Sequence, residues 1–68
     1  MTDTTKTNDA ALAAFMAGKA KIDALLARIA AASDDHFRTQ PDQVTWADAG
    51  SLGFVTERLK EITEFLGV

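Results

Sequence analysis

Apolar residues recur every three or four positions along the C-terminal part of the chain. The steps are three, three, three, four, three and four, through Trp46, Ala49, Leu52, Val55, Leu59, Ile62 and Leu66. This spacing is typical of one side of an α-helix and cannot arise on a strand, whose side chains alternate between two faces. Thr45 with Asp48 resembles a capping box, and Gly67 is typical of a helix end. The pattern predicts a helix over about 46–66 that carries a single apolar stripe.

A second amphipathic pattern precedes this one. From Asp9 to about Asp35 the sequence has no proline and is rich in alanine, leucine and lysine, which favour helix. On a helix the larger apolar side chains would share one face, formed by Phe15, Ile22, Leu25, Leu26 and Ile29. The pattern predicts a helix over about 9–35. Residues 1–8 are short and polar, so we expect them to form a disordered tail.

Residues 36–45 separate the two helical patterns. Pro41 disfavours helical geometry at the preceding residue and suits the start of a new turn, so we expect a connector with one helical turn at 41–44. A connector this short predicts that the helices are antiparallel neighbours. The expected fold is therefore all-α, a two-helix hairpin that forms one domain over 9–68. We expect five residues to close the end of the hairpin, with the glycines allowing close backbone approach: His36, Phe37, Trp46, Gly50 and Gly53.

Two phenylalanines lie beside the stripe of the second helix. Phe54 and Phe65 share an angular position, with Arg58 and Glu61 between them. A lone hairpin would leave both rings half exposed, and exposed apolar surface usually marks an interface. The sequence therefore predicts an interface of these four residues and a homodimer built as a four-helix bundle. The alternative is that a turn of the N-terminal segment or of the connector covers the rings.

The first helix carries a stripe of small residues roughly opposite its large ones. Its members recur in steps of four and three, beginning with Ala13, Ala17, Ala20 and Ala24. One interpretation is a second contact face, because alanine lets another helix approach closely. The other is that alanine simply fills an exposed helix face, since it has the highest helix propensity.

Composition narrows the classes of function. A chain of 68 residues without cysteine forms one small domain at most and can have neither disulfides nor thiolate chemistry. The net charge is −3 and the seven basic residues are scattered, which argues against binding to nucleic acid. No segment is apolar enough to span a membrane, and the polar N-terminus does not resemble a signal peptide. We expect a cytoplasmic protein.

Candidate chemistry is sparse, and we expect no enzyme activity, no cofactor and no metal. The chain has one histidine, and its neighbours Asp34 and Asp35 would point in different directions from it on a helix. The segment 50–53 has two glycines but lacks the lysine and the preceding strand of a phosphate-binding loop. An acidic ridge on the second helix is either a solvated face or a surface for a basic partner; it consists of Glu57, Glu61 and Glu64.

The segment from Asp34 to Thr63 resembles short uncharacterised proteins of bacterial phages and other mobile elements. The matching residues are the Asp35-His36-Phe37 triplet, Pro41-Asp42, Val44, Trp46 and the Gly50-Ser51-Leu52 turn. The resemblance covers roughly the C-terminal half. It implies a mobile-element context, in which small acidic proteins sometimes inhibit host machinery, and it assigns no role to any residue.

These observations support three hypotheses of function. The first is a non-enzymatic protein–protein interaction module that associates with itself. The second is a phage-type inhibitor of a host defence or nucleic-acid enzyme, with a host protein as its partner and the acidic ridge as its surface. The third is a dimeric helical bundle that regulates RNA or DNA.

Overall fold

A computed structural model describes the backbone of residues 2–68 and the side chains of residues 8–68. Over these residues it contains two long helices, two short turns of 3-10 helix and no strand. The all-α prediction is therefore confirmed. The chain divides into two units, Met1–Asp35 and His36–Val68, and each is described by itself below.

The first unit is a single helix, α1 (Thr2–Asp34), which is about 50 Å long at ~1.5 Å per residue. It begins at Thr2 and not near Asp9, so the disordered tail predicted for residues 1–8 is corrected to helix from Thr2 onward; Met1 lies outside the described residues. The physical reason is the cooperativity of helix formation. Once a helix has nucleated, each added residue gains a hydrogen bond at small cost, and neither proline nor glycine interrupts residues 2–9.

The second unit begins with a left-handed turn, His36–Arg38. The backbone φ angles of its three residues are 53°, 53° and 63°, and the amide of Thr39 donates to the carbonyl oxygen of His36 at 3.0 Å. For L-residues this conformation costs about 1–2 kcal/mol each, because Cβ crowds the following carbonyl. The turn is the part of the backbone that the sequence does not predict, since no glycine or asparagine occupies it.

A second turn follows at Pro41–Gln43 and is the one predicted from proline. The amide of Gln43 donates to the carbonyl oxygen of Gln40 at 2.8 Å, and Gln40 itself is extended, as residues before proline prefer to be. Proline stands at the start of the turn, where its missing N–H would have no partner. The short helical turn expected in the connector is confirmed.

The main element of the second unit is α2 (Trp46–Leu66), whose bounds agree with the prediction. Thr45 and Asp48 form a reciprocal capping box. The Asp48 amide donates to the Thr45 hydroxyl at 3.3 Å, and the Thr45 amide donates to the Asp48 carboxylate at 3.0 Å. At the other end Gly67 adopts a left-handed conformation with φ 74°, and its amide donates a hydrogen bond to the carbonyl oxygen of Glu64. Both ends of α2 are therefore fixed by local sequence.

No side chain of residues 8–68 is buried. The apolar face of α1 and the leucine-rich face of α2 both remain open to solvent to a large extent, and the less exposed members are Ile29 on α1 and Val55 and Leu59 on α2. A single helix cannot cover its own stripe, so each unit presents a surface that only another element can bury. The antiparallel hairpin and the four-helix bundle stay predictions.

Candidate interaction surface

The candidate surface is one row of α2, which we call the aromatic row: Phe54, Arg58, Glu61 and Phe65. Its members are spaced by four, three and four residues. At about 100° per residue, these steps keep all four side chains within about 60° of one another around the helix. Because α2 is continuous from Trp46 to Leu66, the structure brings the four predicted interface residues onto one face.

The middle of the aromatic row is organised by Arg58. Its guanidinium carbon lies 5.2 Å from the centroid of the Phe54 ring, and its Nη2 atom lies 3.1 Å from Oε2 of Glu61. At exposed positions, a cation–π contact is worth about 0.5–1 kcal/mol and an ion pair between neighbouring helical turns about 0.2–0.5 kcal/mol. These contacts contribute little to stability. They hold three neighbouring side chains in one arrangement before any partner arrives.

The two ends of the aromatic row are apolar and accessible. Phe54 is 65% exposed and Phe65 is 89% exposed. Within the second unit the connector therefore does not enclose the rings, and the alternative that a turn of the N-terminal segment covers them stays open. A phenylalanine buries on the order of 150–250 Å² when it is covered, so the two rings are the largest apolar area on this face that a partner could bury.

Trp46 does not belong to the stripe of α2, and that part of the sequence prediction is wrong. Three successive steps of three residues turn the helix back by about 60° each, which places Trp46 on the side opposite Val55. The indole is 92% exposed, and its predicted role in closing the end of a hairpin stays a prediction. The stripe proper is shorter and runs from Leu52 to Leu66, with Val55 and Leu59 partly buried.

The same rotation moves Gly50 and Gly53 away from the stripe, to the side that carries Trp46. A β-carbon added to either glycine would meet no atom within 4 Å. The space beside them within the second unit is open, and the close approach of another helix predicted there stays a prediction. His36 and Phe37, the other residues expected to close the hairpin, lie in the left-handed turn, and their closing role stays a prediction.

The acidic ridge is divided in the structure. Glu61 lies in the aromatic row and is engaged by Arg58, whereas Glu57 and Glu64 lie on the flank next to it. No described side chain within the ion-pair distance balances the charge of Glu57 or Glu64. The ridge is thus an acidic flank of two carboxylates beside an aromatic row that is locally neutral.

The alanine stripe of α1 is exposed along its whole length, including Ala13, Ala17, Ala20 and Ala24. Beside it Lys19 and Asp23 form an ion pair at 2.7 Å, one turn apart. Exposure agrees equally with a contact face and with a solvated filler, so both interpretations remain.

Candidate chemistry does not converge among the described residues. Over residues 8–68, no three histidine, aspartate or glutamate side chains are grouped as metal ligands would be. The described helices contain no apolar run that is long enough to cross a bilayer. Compared with known proteins, the chain matches no family model, no curated protein and no solved structure.

Proposed function

We propose that this chain is a small protein–protein interaction module that works by associating with itself through the aromatic row of α2. The observation that carries the proposal is the pair of exposed rings, Phe54 and Phe65, on one face with an ordered Arg58–Glu61 pair between them. Aromatic residues and arginine are the side chains that contribute most to protein interfaces. A face with this composition is better suited to a protein partner than to water.

The preference for a second copy rests on size. The chain has 68 residues and no cysteine, and no residue among 8–68 is buried. Small domains without disulfides or a metal commonly gain the missing core by oligomerisation. A second copy supplies the same apolar faces again, in a symmetric contact that needs no other gene product.

The test is the mass of the protein in solution. Light scattering on the wild type should give about twice the chain mass of 7.3 kDa, or a higher multiple. Replacing Phe54 and Phe65 together with serine should return the mass to that of one chain, since each buried ring contributes about 1.5–3 kcal/mol. A wild type that is monomeric at high concentration contradicts the proposal.

The matched control is Trp46→Ser. It removes an even more exposed aromatic side chain from α2, but from a position two turns before Phe54 and about 90° around the helix from the aromatic row. Its mass should equal that of the wild type. Circular dichroism of all variants should show unchanged helix content, which separates loss of association from loss of folding.

A further inference from the structure

The aromatic row is self-complementary when a second α2 is laid against it in the opposite direction. Consider a two-fold axis that passes beside the aromatic row, perpendicular to α2, at the height midway between Leu59 and Lys60. This axis places Phe54 at the height of Phe65 of the second copy, and Arg58 at the height of Glu61 of the second copy. Along the row the residues are aromatic, positive, negative and aromatic. In the antiparallel pair each aromatic residue therefore faces an aromatic residue of the second copy, and each charge faces the opposite charge.

We propose that the second copy binds through α2 against α2 in antiparallel orientation, in the register set by Phe54–Phe65 and Arg58–Glu61 pairs. This inference rests on the proposed self-association and specifies its geometry. The steps of four, three and four are those of the core positions of paired helices, which keep a seam facing the partner over successive turns. A two-fold axis requires such a self-complementary patch.

The charges in the middle of the row determine the direction. In a parallel pair, Arg58 would face Arg58 of the second copy and Glu61 would face Glu61, so like charges would be brought together. In the antiparallel pair each Arg58 keeps its own Glu61 at 3.1 Å and gains a second carboxylate from the other copy. Polar residues at core positions are well known to specify register and orientation in helix pairs.

The flanks of the row differ in what they add. Val55 and Ile62 lie on one flank, and the antiparallel two-fold turns that flank toward the same flank of the second copy, where the apolar side chains meet. Ile62 is half exposed in the single chain and therefore has area to bury. The four rings contribute on the order of 600 Å² of the ~1,200 Å² that a small specific interface buries. Glu57 and Glu64 occupy the other flank, whose like charges remain in solvent and are screened.

Charge reversal tests the register. Arg58→Glu leaves four carboxylates at the centre of its homodimer, and Glu61→Arg leaves four guanidinium groups. Each variant alone should dimerise about ten- to a hundredfold more weakly than the wild type by sedimentation equilibrium. Mixed in equal amounts, the two should form a heterodimer, which native mass spectrometry resolves by mass, and the double variant carrying both changes should recover the homodimer.

Lys60→Glu is the matched control, because it makes the same change of charge as Arg58→Glu at a position outside the aromatic row. It should leave the dimer dissociation constant within about threefold of the wild-type value.

The orientation of the two copies can be measured with spin labels attached to Trp46→Cys, which is the single cysteine of that variant since the chain has no other. The antiparallel pair puts the two labels about 40 Å apart at ~1.5 Å per residue, whereas a parallel pair brings them within about 20 Å.

The outcomes separate the two proposals. A wild type that never dimerises overturns both. Three results would overturn the antiparallel register and leave self-association in another arrangement. They are a dimer that neither Arg58→Glu nor Glu61→Arg weakens, variants that fail to pair when mixed, and spin labels at the short distance. Weakened single variants, a heterodimer on mixing and the long distance together support it.

Discussion

At the scale of single residues, the glycines show how position decides what a residue type means. Gly67 occupies a left-handed position that only glycine adopts without strain, whereas Gly50 and Gly53 lie within α2 with open space around them. The same amino acid is thus required at one site and dispensable at two others. The sequence predicted Gly67 as a helix end correctly, because the role of a terminal glycine depends only on the local backbone, whereas the role of an internal glycine depends on what packs beside it.

This difference predicts opposite effects of one substitution. Gly50→Ala and Gly53→Ala should each raise the free energy of unfolding by about 0.5–1 kcal/mol, because alanine restricts the unfolded chain and favours helix. Gly67→Ala should lower it by about 1 kcal/mol, because its φ of 74° crowds a β-carbon. Thermal melts at one fixed protein concentration measure all three. Destabilisation by Gly50→Ala would instead indicate the close backbone approach predicted from the sequence.

The left-handed turn is the other residue-scale feature and the least predictable one. Histidine is enriched at positive φ among residues other than glycine, but Phe37 and Arg38 prefer right-handed or extended backbone and give no signal for a left-handed turn. A pattern of hydrophobic spacing says nothing about such a turn, because it reports which face a side chain occupies and not how the chain reverses. The sequence located the interruption at 36–45 correctly and could not give its geometry.

At the scale of elements, α2 was predictable from both of its ends. The Thr45–Asp48 box fixes its start, Gly67 fixes its end, and the apolar period covers the residues between them. The start of α1 was not, because threonine and aspartate are weak helix formers and their presence suggested a tail. Local sequence signals therefore predict the end of a helix well where a capping motif is present, and poorly where the helix has no cap.

The capping box should carry measurable stability. Thr45→Ala removes the hydroxyl that accepts from the Asp48 amide, and we expect a loss of about 1 kcal/mol in the free energy of unfolding, typical of N-cap threonine. Thr56→Ala is the matched control: its hydroxyl bonds the Leu52 carbonyl within the helix, at 2.8 Å, and its removal should be neutral or slightly stabilising. Equal effects of both substitutions in urea titrations would show that the box contributes nothing specific.

At the scale of the whole molecule, the candidate surface was predictable because it depends only on helical periodicity. Phe54, Arg58, Glu61 and Phe65 fall together on any regular helix, and the structure adds the contacts that order them. The i, i+3 and i, i+4 spacing of arginine to its neighbours was the signal for those contacts. The error over Trp46 has the same origin, since a run of three-residue steps looks regular in sequence while it rotates steadily around the helix.

A molecule with no buried side chain among residues 8–68 should owe much of its stability to association. If folding and pairing are linked, the melting temperature depends on protein concentration by mass action. Each tenfold dilution removes about 1.4 kcal/mol from the stability of a dimer, which lowers the melting temperature by about 3–6 °C for two chains of this size. Circular dichroism melts over a hundredfold range of concentration measure this slope. The Phe54→Ser, Phe65→Ser double variant should melt at a lower temperature that does not change with dilution. If the melting temperature of the wild type also does not change with dilution, its stability comes from the single chain.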